Sequence, residues 1–444
     1  MAILSKEEAQ ALLKKVLSYS KADECEVNLN GAENGNIRYA RNSVSTSGGI
    51  SNSTLVVSSS YGKKSGIATI NEFDDASLEK VVRRSEELAM LAPENPEYMP
   101  FLGPQQYGES KTFVQATSDM LPKDRTDAVA ESLKISKEYK QIAAGFLENG
   151  SGFAAMMNSH GLFAYCTETN VAFNVTVRTE DGKGSGYASK GYNDFKQLDV
   201  KKATETAAKK AAGSAEARAI EPGKYTVILE PMAVSVLLEN LMFGLDARQA
   251  DEGRSFLSLP GGKTRLGEKM VDERVNIYSD PNYPDLPSRT WAQDGRPQEK
   301  IIWVENGVIK NLSSSRYWAQ KKGIKPIPGP DRMIMQGGKA TLEELIKGTE
   351  KGILVTRLWY IRTVDPQTLL LTGLTRDGTF YIENGQIKFP IKNLRFNESP
   401  IIMLNNIDEL GISERCVSDE STNHYVLPPM RVRDFTFTSL SDAV

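Results

Sequence analysis

In residues 6–18, Ala9, Leu12, Leu13 and Val16 recur at helical spacing, and a strand-like run follows at residues 25–29. Alternating segments at 37–44 and 53–60, a Gly-Lys-Lys-Ser-Gly turn and a helical stretch at 75–91 complete a unit of helix, antiparallel strands and helix. That order recurs: a helix at 122–138, strands around 142–147, 152–158 and 162–178, and a helix at 200–212. The punctuation recurs with it. Gly62-Lys63-Lys64-Ser65-Gly66-Ile67-Ala68 is echoed 120 positions later, from 62 to 182, by Gly182-Lys183-Gly184-Ser185-Gly186-Tyr187-Ala188. The pattern predicts two copies of one α/β unit. A Gly-x-x-Ser-Gly stretch can cradle phosphate, but these lie between strands and open no helix, so they predict hairpin turns.

Residues 92–104 are rich in proline and turn formers and lack periodicity, which marks a linker; a second break falls at Glu221-Pro222-Gly223. Beyond it the chain turns strand-rich, with runs at 225–229, 275–278, 300–304, 352–358, 369–376 and 432–438 and helices at 232–245 and 342–347. Glu305-Asn306-Gly307 and Glu383-Asn384-Gly385 are both flanked by strand formers, and Asn-Gly is a strong hairpin signal because both residues tolerate positive φ. The expected fold class is α+β, with duplicated N-terminal α/β units followed by a strand-rich antiparallel sheet or barrel C-terminal domain. The expected division is 1–104, 105–220 and 221–444.

Composition narrows the function. With 444 residues, 40% hydrophobic and 25% charged, the chain can bury a large core. A formal charge of -3 and a pI near 5.8 give no overall attraction to phosphate backbones, so nucleic acid is not an expected partner. The opening Met1-Ala2-Ile3-Leu4-Ser5-Lys6-Glu7 lacks the layout of a signal peptide, and no window approaches a membrane span. Three scattered cysteines, Cys25, Cys166 and Cys416, provide no disulfide framework, so a cytoplasmic location is expected.

Candidate chemistry is sparse. Histidine occurs twice, at His160 and His424, and there is no HExxH or HExxxH pair, GxSxG, P-loop or Rossmann fingerprint. Cys416, Asp419, Glu420 and His424 fall within nine residues; their types suit a metal, but the irregular stretch around them favours a structural or interface role. Glu239 ends the apolar run Ala233 to Leu238, where a carboxylate is expected on the solvent side of a core helix. Trp291, Trp303, Trp318 and Trp359 are candidates for a partner interface, with core packing as the favoured alternative.

From Glu221 onward the sequence resembles the TldD/PmbA family, once labelled modulators of DNA gyrase and understood as metalloproteases. The resemblance rests on ordered landmarks: Pro222-Gly223-Lys224-Tyr225-Thr226-Val227, Arg254-Ser255-Phe256-Leu257 with Leu266-Gly267, Asp294-Gly295-Arg296-Pro297, both Asn-Gly segments, and Pro390-Ile391. In TldD-like members the helix after the Pro-Gly-x-Tyr-Thr-Val strand carries HExxxH, and a late cysteine completes the zinc site. Here that helix reads Leu237-Leu238-Glu239-Asn240-Leu241-Met242-Phe243-Gly244, Cys416 falls near the third ligand, and Val426-Leu427-Pro428-Pro429-Met430 replaces a glycine-rich tail. The resemblance therefore implies a PmbA/TldE-like chain with no metal or cofactor of its own. It would pair with a zinc-bearing TldD-like subunit, as a heterodimer, to process unfolded or extended peptides. Two alternatives stay open: a self-sufficient hydrolase using Cys416, His424 and Glu239 or Asp419, and a homodimeric peptide-binding module.

Overall fold

The period-two pattern of the N-terminal half runs through strands much longer than the alternating segments suggest. The computed structural model describes residues 3–330 and 332–441. Helix α1 (Lys6–Tyr19) opens on a capping box in which Ser5 and Glu8 satisfy each other's backbone amides. Strands β1 (Glu24–Ala40), β2 (Ser43–Tyr61) and β3 (Lys64–Ile70) form a meander, covered by α2 (Asp75–Leu91). The second copy comprises α3 (Gln115–Ser118), α4 (Pro122–Glu138), β4 (Gln141–Asn158), β5 (Phe163–Thr179), β6 (Ser185–Tyr192) and α5 (Val200–Gly213). The copies share one sheet of order β3-β2-β1-β4-β5-β6, fused by antiparallel pairing of β1 with β4.

The stretch 37–44, expected to be a single alternating segment, contains a reversal. Arg41 and Asn42 have φ of 51° and 58° and turn β1 into β2. The repeated glycine motif has two physical duties. Gly62 and Gly182 supply positive φ at the hairpin turns. Gly66 and Gly186 let a helix lie directly on the strand: a Cβ at Gly66 would sit 2.2 Å from Ala89 N, and one at Gly186 2.0 Å from Ala207 O.

One face of this sheet is apolar and helix-covered. Cys25, Val27, Leu29, Leu55 and Val57 lie in a core with Leu13 of α1 and Val82 of α2, while Ile37, Tyr39, Leu147 and Phe173 pack with α4 and α5. The opposite face presents Glu26, Asn28 and Asn30, as strand alternation requires.

The C-terminal half begins with β7 (Gly223–Leu229), α6 (Pro231–Gly244), α7 (Ala247–Asp251) and a short hairpin, β8 (Ser258–Leu259) with β9 (Lys263–Thr264). Next come β10 (Ile277–Ser279), β11 (Ile301–Glu305), β12 (Val308–Ile309), α8 (Arg316–Lys322), β13 (Met333–Met335) and α9 (Leu342–Lys347). Then follow β14 (Lys351–Asp365), β15 (Leu370–Glu383), β16 (Gln386–Pro390), β17 (Leu394–Glu398) and α10 (Pro400–Asn405). The chain finishes its described elements with β18 (Ile407–Leu410), β19 (Glu414–Val417), β20 (His424–Leu427) and β21 (Met430–Leu440).

Strands β14-β7-β21-β17-β15 close into a five-stranded barrel because β15 pairs back onto β14. A second sheet runs β12-β11-β10-β13-β20-β19. Pairing is mostly antiparallel, with β7–β14 and β13–β20 parallel. Both Asn-Gly hairpins form, each with two consecutive residues at positive φ (Asn306 and Gly307, Asn384 and Gly385). Helix α6 is buried between barrel and second sheet, and Val234, Leu237, Leu238 and Leu241 join the largest core.

The tryptophans are mostly interior. Trp303 and Trp318 are buried in the C-terminal core, and Trp291 packs on Ala154, Met156 and Cys166 of the N-terminal sheet. Trp359 is half-buried under the Arg376 guanidinium, 4.1 Å from its ring centre. The core alternative therefore holds for three of the four.

Candidate functional site

Helix α6 forms where Pro231 occupies the first turn and a mostly apolar run free of internal glycine and proline follows, and it stops at Gly244. Its one acidic residue, Glu239, is 5% exposed. The solvent-side position expected from the apolar run is thus overturned. The reason lies 179 to 186 residues away: the β19–β20 hairpin supplies four donors, three from its loop and one from β20. Ser418 Oγ donates to Glu239 Oε2 at 2.7 Å, and Tyr425 Oη and Asn423 Nδ2 donate to Oε1 at 2.6 and 3.3 Å. Ser421 Oγ donates to Oε1 as well. A buried carboxylate is tolerable when its lone pairs are filled in this way. Tyr425 is pushed far above the usual phenol range by burial and by its bond to Glu239, so it stays a donor.

The hairpin that carries these donors also separates the other sequence candidates. Cys416 lies opposite Tyr425 and Val417 opposite His424, so Cys416 and His424 emerge on opposite faces. Cys416 Sγ points at α6, 3.7 Å from Pro231 O, and burial pushes its thiol well above the ordinary range. His424 turns toward the N-terminal sheet, where a Cβ on Gly191 would sit 2.6 Å from its Cε1. Its Nδ1 accepts from an Arg415 terminal nitrogen at 2.9 Å. Burial, aided by Arg415 and Arg332, lowers its pKa to about 3, so the ring is neutral.

The remaining carboxylates are committed elsewhere. Asp419 bridges to Arg357 at 2.8 Å, burial raises its pKa, and Arg357 also reaches Asp377 at 3.3 Å. Glu420 accepts from the Ile361 amide at 3.1 Å. His160 is exposed and lies 2.8 Å from Glu24. The structure therefore brings Glu239 together with residues sequence reasoning missed, and does not bring Cys416, Asp419, Glu420 and His424 together. Among the described residues no three His, Cys, Asp or Glu side chains gather as a metal-ligand set.

Two cavities flank this knot. One of about 290 Å³ is lined by Glu239, Met242, Phe243, Asp246, Arg332 and Tyr425. The other, about 1070 Å³, lies between the polar sheet face and the C-terminal loops, with Glu26, Asn28, Arg289, Trp291, Asp294 and Arg316 among its walls. Gly329, Pro330 and Arg332 line both. In the larger cavity Arg296 is paired with Asp294 at 2.7 Å, while burial holds Glu26 above and Arg316 below their usual ranges. Such a cleft, polar on one wall and arginine-rich on the other, can hold an extended chain with mixed charge.

Residues 222–439 match the model of the PmbA/TldA metallopeptidase C-terminal domain, and residues 115–215 match that of the central domain. The chain belongs to the PmbA/TldD family. It is 24% identical over 282 residues to a metalloprotease of Methanothermobacter thermautotrophicus, covering 58% of this chain and 60% of that one. It is 20% identical to the metalloprotease PmbA of Escherichia coli O157:H7, covering 68% and 67%. The chain spans 50–60% of the length of the first three relatives it matches. TldE from Thermococcus kodakarensis superposes with a TM-score of 0.87 at 18% identity, over 97% of this chain and 99% of that one, and so shares the fold. No helix among the described residues is long and apolar enough to cross a membrane.

The family's zinc chemistry finds no fitting residues here. On the motif spacing, Leu238 and Phe243 stand where the two imidazoles belong. Phe243 is 70% exposed, Glu239 is saturated by four donors, and the one nearby thiol is protonated.

Proposed function

We propose that this chain is the TldE/PmbA-like, non-catalytic subunit of a TldD-type metalloprotease assembly that processes unfolded or extended peptides. The observation that carries the reading is the occupation of Glu239, the one acidic residue of α6, by Ser418, Ser421, Asn423 and Tyr425. A residue so occupied neither activates water nor binds a cation. The 1070 Å³ cavity supports a peptide-holding role, because its polar strand face and arginines offer hydrogen bonds and charge without a shape tuned to one side chain.

A self-sufficient thiol hydrolase needs Cys416 beside a base, and His424 lies across the hairpin from it. The test has three parts. Elemental analysis of the purified chain should find no stoichiometric zinc. Peptide cleavage should be absent from the chain alone and appear, chelator-sensitive, with a co-purified HExxxH-bearing protein. Chelator-insensitive cleavage lost on Cys416→Ala would restore the hydrolase reading, and recovery of copies of this chain alone would favour the homodimeric module.

A further inference from the structure

On the helix-covered side of the N-terminal sheet, opposite the large cavity, the two apolar cores are separated by a polar gap. Gly35 of β1 lies opposite Gly49 of β2 and Asn149 of β4, and Glu33 lies opposite Ser151. Into this gap α4 sends Arg125, which is 7% exposed. Its guanidinium lies flat on the sheet: a Cβ at Gly35 would meet it at 2.4 Å. One terminal nitrogen donates to Asn149 Oδ1 at 2.6 Å, and Asn149 is itself fixed by donating to Thr117 O at 3.2 Å. Arg125 Nε is sealed from solvent and has no partner, and among the described residues the side chain enters no ion pair.

A guanidinium buried this far without a counter-charge is strongly unfavourable. The space in front of it is a cavity of about 370 Å³, lined by Glu33, Ser118, Arg125, Asn149 and Ser151. Arg125 lines it together with Ser118 and Ser151, a set of donor-bearing side chains suited to an anion with several acceptors. Glu33, exposed at the rim, opposes an anion.

We propose that this cavity binds a phosphate-type oxyanion, free or as a small phosphomonoester, with Arg125 as its charge partner. The site is independent of α6 and of the assembly proposed above. Calorimetric titration of the full chain with inorganic phosphate and with glycerol phosphate, at constant ionic strength, tests it. Wild type should bind one equivalent of at least one probe, with the tighter of the two identifying the source. Arg125→Met should abolish binding, and Glu33→Gln should tighten it about fivefold by removing a like charge. If Arg125→Met does not fold, Ser151→Val removes a hydroxyl from the cavity lining while keeping the charge and should weaken binding at least fivefold. Absence of saturable binding, equal binding by the variants, or an equal response to chloride would overturn the proposal.

Discussion

Two buried charges, one in each half of the molecule, are treated in opposite ways. Glu239, in the C-terminal half, accepts from four side chains. Arg125, in the N-terminal half, has one side-chain partner and an empty Nε. The first is a closed polar knot that fixes the β19–β20 loop to α6. The second is incomplete within the chain and adjoins open space. A saturated buried charge holds elements together, whereas one left without a counter-charge beside open space is where we propose a ligand.

The comparison breaks most decisively at Glu239. Glu239→Leu strands four donors, of which Ser418 and Tyr425 are buried, and should cost about 3–5 kcal/mol, read as a lower urea midpoint with unchanged slope; a loss under about 1 kcal/mol would show that the knot is not structural. His424 represents a third treatment, a half-buried base kept neutral. Its pKa falls from 6.5 to about 3 on folding, so between those values the unfolded chain holds more protons. Stability is present above pH 6.5 and falls as pH drops toward 3, by up to about 1.4 kcal/mol per unit. His424→Gln should flatten that slope in pH-dependent unfolding, and an unchanged slope would assign it to other groups.

Tyr425→Phe removes one donor from the Glu239 knot and leaves the others, so about 1–2 kcal/mol should be lost. A double-mutant cycle with Ser418→Ala would reveal whether the donors act jointly. The smallest loss is expected at Arg125, where Arg125→Met replaces an uncompensated charge with an apolar chain and should leave stability unchanged or raise it, measured without phosphate. A large loss there would make Arg125 a structural residue like Glu239.

Much of this architecture is legible from local pattern. Helix 75–91 reads correctly because Asp74 caps an amphipathic run, and both Asn-Gly hairpins announce themselves through positive-φ residues. The outer part of β2 is less legible: residues 43–52 are exposed serines and glycines among few apolar positions, and they are strands only because β1 supplies the ladder. The site was the least legible. Cys416 and His424 are close in sequence but a hairpin sends them apart. Glu239 looks solvent-facing because its donors come from the distant stretch 418–425. Long-range hydrogen bonding leaves no trace in the periodicity of either segment.

The barrel's closure also orders events in time. Strand β7 ends at Leu229, yet its partners are β14 and β21, the latter spanning Met430–Leu440. The six-stranded N-terminal sheet is complete once β6 ends at Tyr192. On the ribosome, the sheet can fold while β7 and the apolar α6 wait, unshielded, for their final neighbour. That interval is when nascent chains are most open to chaperone capture or mispairing.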